Sequence, residues 1–135
     1  MNKFFVCFAA LSGALSVMLG AFAAHQLKTT LPVEAVAIFE TGVRYQFYHA
    51  LALLISGLAY EKFSVKWIHA AGNCFITGII LFSGSLYALA FLRTNNDISA
   101  VKFIGPVTPL GGLFFIAGWL LLFFAALRKA GTGQQ

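Results

Sequence analysis

Phe103–Leu127 reads FIGPVTPLGGLFFIAGWLLLFFAAL, 25 consecutive residues without a Lys, Arg, Asp or Glu. A bilayer core about 30 Å thick takes ~20 helical residues to cross, so this stretch is long enough to span a membrane. Three further uncharged runs precede it: Phe4–Leu27 with 24 residues, Tyr45–Tyr60 with 16 and Trp67–Leu92 with 26. The second run is short on its own. Extended upstream through Arg44 and Glu40, it predicts one long helix from Pro32 to Tyr60 whose first turns are amphipathic and interfacial. The sequence therefore reads as an all-α polytopic membrane protein, an up-down bundle of four transmembrane helices over 4–27, 32–60, 67–92 and 108–128 within one domain, 1–135.

Composition points the same way. Sixty per cent of the 135 residues are hydrophobic and 10% are charged, and the mean hydropathy is +0.87. Soluble domains carry roughly 25% charged residues, because their surface faces water. Thirteen charged side chains cannot cover such a surface. Fifteen Phe and thirteen Gly add to the bilayer pattern, Gly being commoner in membrane helices than in soluble ones. The net charge of +5 comes from nine Lys and Arg scattered at segment ends. With no basic run and no nucleic-acid module, the expected partners are membrane lipids rather than nucleic acid. Cys7 and Cys74 sit inside apolar runs and read as small hydrophobes rather than a disulfide.

Start and stop signals mark the helix ends. Thr30 and Pro32 open the second helix, with Glu34 in its first turn, where the helix dipole favours negative charge. Thr108 and Pro109 pair as N-cap and first-turn proline for the fourth helix. Asn95-Asn96-Asp97 marks a polar loop, and Gly131–Gln135 a frayed tail. Lys3, the apolar run and Ala21-Phe22-Ala23 resemble a signal peptide, but the run exceeds the usual 7–15 apolar residues, so it is expected to be a retained helix. Lys3, Lys62, Lys66, Arg128 and Lys129 fall on one side, and Lys28, Arg44, Arg93 and Lys102 on the other. The excess of positive charge predicts both termini in the cytoplasm.

Helix alternation then sorts the polar residues. In an up-down bundle, the end of helix one, the start of two, the end of three and the start of four share one membrane half. That half receives His25, Glu40, Arg44, Tyr45, Gln46, His49, Ser83, Ser85, Tyr87 and Thr108. Ionisable and polar groups in hydrocarbon are costly unless partnered, so these ten form a candidate polar cluster. Glu40 and Arg44, four residues apart, are placed to pair. Thr41, Tyr45, His49, Ala52 and Ser56 form one stripe expected to face the interior. The opposite half holds His69, Asn73 and Thr77.

Ser12, Ser16, Gly20 and Ala24 are small residues at spacing four, the pattern that lets membrane helices approach closely. They are expected to pack within the bundle, a homodimer contact being the alternative. Gly72, Gly78 and Gly84, and Gly111, Gly112 and Gly118, read similarly. No paired carboxylates, CxxC, HExxH or phosphate-cradling Gly loop occurs, so the reading is not an enzyme and calls for no catalytic residues, cofactor or metal. Of the three His, only His25 and His49 share a membrane half, which argues against a haem held between facing axial ligands.

Four motifs also carry a resemblance. Gly20-Ala21-Phe22-Ala23-Ala24-His25-Gln26-Leu27 resembles the GAFGAH-x-L pattern of a family of small bacterial inner-membrane proteins built on domain of unknown function 423. The animal transmembrane protein 256 family is similar. Tyr45–Leu54, Phe82–Tyr87 and Gly105–Gly112 look like the second, third and fourth motifs of that family. Ala23 stands where the family commonly has Gly, which bears on how closely the backbone packs there. The resemblance implies a four-helix inner-membrane protein and brings no activity with it.

The leading functional expectation is a non-enzymatic accessory or assembly protein, as a homodimer or within a larger membrane complex. A small dimeric transporter or channel is the first alternative, although helix one lacks a membrane-embedded Glu for proton coupling. A quinone- or redox-associated subunit using Tyr45 and His49 is the second. A continuous polar path would favour the first alternative, and a pocket open to lipid in the polar half the second.

Overall fold

The computed structural model describes residues 1–95 and 97–128. Asn96 and residues 129–135, which include the tail expected at Gly131–Gln135, lie outside them. Every regular element among the described residues is helical: α1 Lys3–Thr30, α2 Val33–Leu58, α3 Val65–Thr94, a short α4 Ile98–Ile104 and α5 Val107–Leu127. Helix α4 lies between the spans that the sequence predicts at 67–92 and 108–128. Asp97 caps it by accepting from Ala100 N at 3.1 Å. Three helical stretches are long and apolar enough to cross a membrane: α1, α3 and the continuous run Ile98–Leu127. Helix α2 is 26 residues long, but Arg44, Gln46 and His49 in its middle dilute its apolar character.

Each helix packs against the one that follows it, α1 along α2, α2 along α3 and α3 along α5. At one end of the molecule, Asn2 caps α1 by accepting from Phe5 N, and its own N–H donates to Gly57 O at the end of α2 at 2.9 Å. The Met1 ammonium lies 2.6 Å from a Glu61 carboxylate oxygen in the next connector. Arg128, just past α5, covers the Trp67 ring at the start of α3, 4.9 Å from its centre.

Helix α2 buries Ala35, Phe39, Gly42, Gln46, His49, Leu53 and Ser56. Steps of four and three give a seam like that of packed helix pairs, and Val36, Ala50, Ala52 and Gly57, also buried, widen it because α2 has neighbours on two sides. The expected stripe matches it only from His49 downward, where His49, Ala52 and Ser56 are buried. Upstream, strict four-residue steps advance about 40° each around a helix of 3.6 residues per turn. Tyr45 consequently lands on the outside, 40% exposed, and Gln46 takes its place within. The same drift governs α1. Ser12 and Ser16 are buried, but Ala24 is exposed, and Ala23 and Leu27 continue the seam. Gly20 faces Val43, leaving ordinary contact distance for an added Cβ.

Helices α3 and α5 interlock antiparallel through reciprocal glycine and phenylalanine pairs. The Phe75 ring lies where a side chain on Gly118 would project, the Phe115 ring over Gly78, and Phe82, backbone included, against Gly111. Each phenylalanine fills the hollow that a missing side chain leaves, so the backbones come close enough for dispersion contacts to hold them in lipid. Phe5 of α1 fills the corresponding hollow at Gly72. Gly84, grouped with these by the sequence, has open space around it.

Candidate functional site

Gln46 is the centre of the polar half. Only 6% exposed, it donates from Nε2 to Ser12 O on α1 at 2.9 Å and accepts at Oε1 from the Tyr87 hydroxyl of α3 at 2.8 Å. One side chain thus ties three helices together. The Ser12 carbonyl also accepts from Ser16 Oγ at 2.9 Å. Between α3 and α5, the Ser85 and Thr108 hydroxyls share a hydrogen bond of 2.7 Å.

His49 forms the second junction. Its Nδ1 lies 2.7 Å from Tyr45 O, and Trp119 Nε1 donates to its Nε2 at 3.2 Å. An indole nitrogen only donates, so Nε2 accepts and the ring proton sits on Nδ1, bonded to the Tyr45 carbonyl. The imidazole stacks flat on Phe115, ring centres 3.4 Å apart and planes within 6°. Phe115 in turn sits on Gly78, so the glycine hollow on α3 sets the height of the stack under His49.

A π-turn, Ile79–Ser83, interrupts α3 beside this junction. It packs against both α2 and α5. The extra residue of a π-turn re-aims the side chains that follow, and such turns concentrate at functional sites. Phe82, from this turn, stacks near Tyr45 with ring centres 4.7 Å apart. Its neighbour Ser83 is fully buried, and its hydroxyl is the one buried side-chain polar atom without a hydrogen-bond partner among the described residues.

Outside the junction, α2 and α5 diverge to leave a cleft of about 680 Å³. Tyr45, Tyr48 and His49 line one wall, Phe82 the back, and Pro109, Gly112, Phe115 and Trp119 the other wall. Neither the Tyr45 nor the Tyr48 hydroxyl bonds to another described residue, and both side chains are open to the surroundings. No group of three His, Cys, Asp or Glu side chains comes together among the described residues.

The ten cluster residues therefore divide. Gln46, Tyr87, Ser85, Thr108 and His49 are joined into interhelical bonds, and Tyr45 supplies a backbone acceptor and a cleft wall. His25 lies exposed on α1, away from these junctions, because the seam there passes through Ala23 and Leu27. Arg44 is exposed and donates to Thr41 Oγ1 at 3.2 Å. The expected Glu40–Arg44 ion pair does not form, and Glu40 instead borders a groove with Lys28. Thr41, one turn from Arg44, offers a closer acceptor on the same outward face. In the other half, Asn73 bonds to His69 at 3.2 Å. Trp119 went unremarked in the sequence, yet a lone indole N–H inside a 25-residue apolar run must find an acceptor in lipid.

Comparison with known proteins agrees with a membrane protein. Residues 19–112 match the model of a family described as protein of unknown function, DUF423. The chain is 40% identical over 129 residues to a UPF0382 membrane protein of Staphylococcus epidermidis, covering 96% of this chain and 99% of that one. It is 37% identical over 127 residues to the UPF0382 membrane protein YwdK of Bacillus subtilis, covering 93% and 98%. With the UPF0382 inner membrane protein YgdD of Escherichia coli it shares 38% identity over 132 residues, 98% and 95% of the two chains. No solved structure matches it. The four motifs, the apolar helices and these near-full-length relatives together place the chain in the DUF423 family of small bacterial membrane proteins.

Proposed function

We propose that this protein is a non-enzymatic membrane subunit that crosses the bilayer four times and acts through lateral contacts inside it, as an accessory or assembly component of a larger membrane complex. One observation carries this reading. The connectors between helices are only residues 31–32, 59–64, 95–97 and 105–106, so the described chain has almost no surface to offer outside the lipid. Helix α2 is counted as the fourth span because its 26 residues extend about 39 Å at 1.5 Å per residue. It lies between α1 and α3 with its Gln, His and Ser turned inward. Its outer face carries Phe47, Tyr48, Leu51, Ile55 and Leu58, and Arg44 there donates to Thr41 of the same helix. The Lys and Arg count supports both termini on the cytoplasmic side of a plasma or inner membrane.

Affinity purification from native membranes in a mild detergent, followed by mass spectrometry, tests the proposal. A second membrane protein recovered in fixed stoichiometry is the expected result. Recovery of this chain alone, as a monomer or homodimer, stands against it.

A subunit associated with a quinone or other redox carrier is a second reading, favoured by the cleft that opens to lipid beside Tyr45 and His49. The transporter or channel alternative draws no such support, since Gln46, His49, Ser56 and Ser85 spend their hydrogen bonds on neighbouring side chains and backbone and form no continuous path.

A further inference from the structure

We infer that the cleft between α2 and α5 binds a flat, oxygen-bearing ring carried on an apolar chain, the chemical class of the isoprenoid quinones. This deepens the quinone-associated reading and is independent of the accessory-subunit proposal. The cleft's volume of about 680 Å³ is within the range of sites that enclose small ligands, roughly 300–1,000 Å³. It runs along α5 from Pro109 to Trp119, about 15 Å at helical rise, or half the thickness of the hydrocarbon core. A molecule reaching it through lipid must therefore be apolar over most of its length.

The walls specify a ring rather than a simple acyl chain. Six of the lining residues carry rings: Tyr45, Tyr48, His49, Phe82, Phe115 and Trp119. The Tyr45 ring is tilted only 25° from His49 and 34° from Phe82, so the cleft is bordered by rings that lean in similar planes. Aromatic faces gain from stacking on another ring beyond the area they bury. Polar selection comes from the Tyr45 and Tyr48 hydroxyls. A hydroxyl at membrane depth is costly without a partner, and a ring carbonyl supplies an acceptor. His49 keeps both ring nitrogens engaged and acts as a fixed wall. Gly112 sets the room available: a Cβ there would meet only the Phe82 ring, at 3.8 Å, while anything longer would project into the cleft.

Fluorescence reads the site directly, since the chain holds two Trp, Trp67 and Trp119, and only Trp119 lines the cleft. In a Trp67→Phe background, reconstituted in nanodiscs, decylubiquinone is titrated and Trp119 emission followed. Saturable quenching is expected, abolished by Gly112→Leu and weakened by Tyr45→Phe about three- to tenfold, the loss of one hydrogen bond. Gly112→Val, whose γ-methyls reach past the Cβ into the cleft, serves as the milder blocking variant should the leucine fail to fold; it should weaken quenching while the protein keeps its melting temperature. Quenching that rises linearly without saturation overturns the inference. So does saturable quenching unchanged in folded Gly112 variants, or full competition by decanol, which has the chain but no ring. These outcomes leave the co-purification result untouched, so the two proposals fail separately.

Discussion

Gln46 uses both ends of its amide, donating to α1 and accepting from α3, which leaves no simple replacement for it. Gln46→Leu removes two interhelical bonds and strands the Tyr87 hydroxyl. Bonds of this kind between membrane helices average about 0.6 kcal/mol and reach ~1.7, so the substitution should destabilise the protein by roughly 1–3 kcal/mol once the orphaned hydroxyl is included. His25→Ala, on the exposed face, should stay within about 0.5 kcal/mol. Unfolding titrations in mixed micelles measure both, and equal losses would show that the polar half is not organised around Gln46. The residue scale is also where the sequence was least legible. Helix alternation places Gln46, Tyr87, Ser85 and Thr108 in one membrane half, and they do meet in bonded pairs. Depth alone says nothing of azimuth, so His25 and Arg44, at similar heights, turn outward. The partnership of His49 with Trp119 rested on an indole donor that composition alone does not single out.

At the scale of elements, the α3–α5 pair shows what small residues do in a bilayer. Phe75, Gly78 and Phe82 meet Gly118, Phe115 and Gly111 in antiparallel register. Adjacent glycines of α5 then behave in opposite ways. Gly111 faces the backbone of Phe82 and has no room for a methyl, whereas Gly112 faces the cleft. Gly111→Ala should therefore cost about 1–3 kcal/mol of stability by overpacking, and Gly112→Ala less than about 0.5 kcal/mol. A comparison of detergent melting curves decides it; similar losses for the two would mean that α5 is rotated from the position described. The glycine pattern was visible in the sequence, but its logic was not. A four-residue spacing marks a face that permits close approach without saying which aromatic fills it. Gly72, Gly78 and Gly84 stand six residues apart, about 240° of helical turn per step, so they meet different neighbours: Phe5, Phe115 and open space.

For the whole molecule, hydropathy made α1, α3 and α5 plain, because nothing but lipid accounts for apolar runs of such length. Helix α2 was legible only by inference, since the residues that lock it to its neighbours are the ones that lower its hydropathy. Its interior polar residues make sense if it stands between α1 and α3 across the full bilayer, and the lateral mode of action rests on that placement. Cysteine accessibility in intact cells tests it most directly. In a background lacking Cys7 and Cys74, single cysteines replace Pro32 and Lys62, which flank α2, and Asp97, and each is challenged with a membrane-impermeant maleimide. Four spans with cytoplasmic termini predict labelling at 32 and 97 from outside and protection at 62 until the cells are opened. Positions 32 and 62 labelling from the same side would show that α2 does not cross the membrane and would contradict the account.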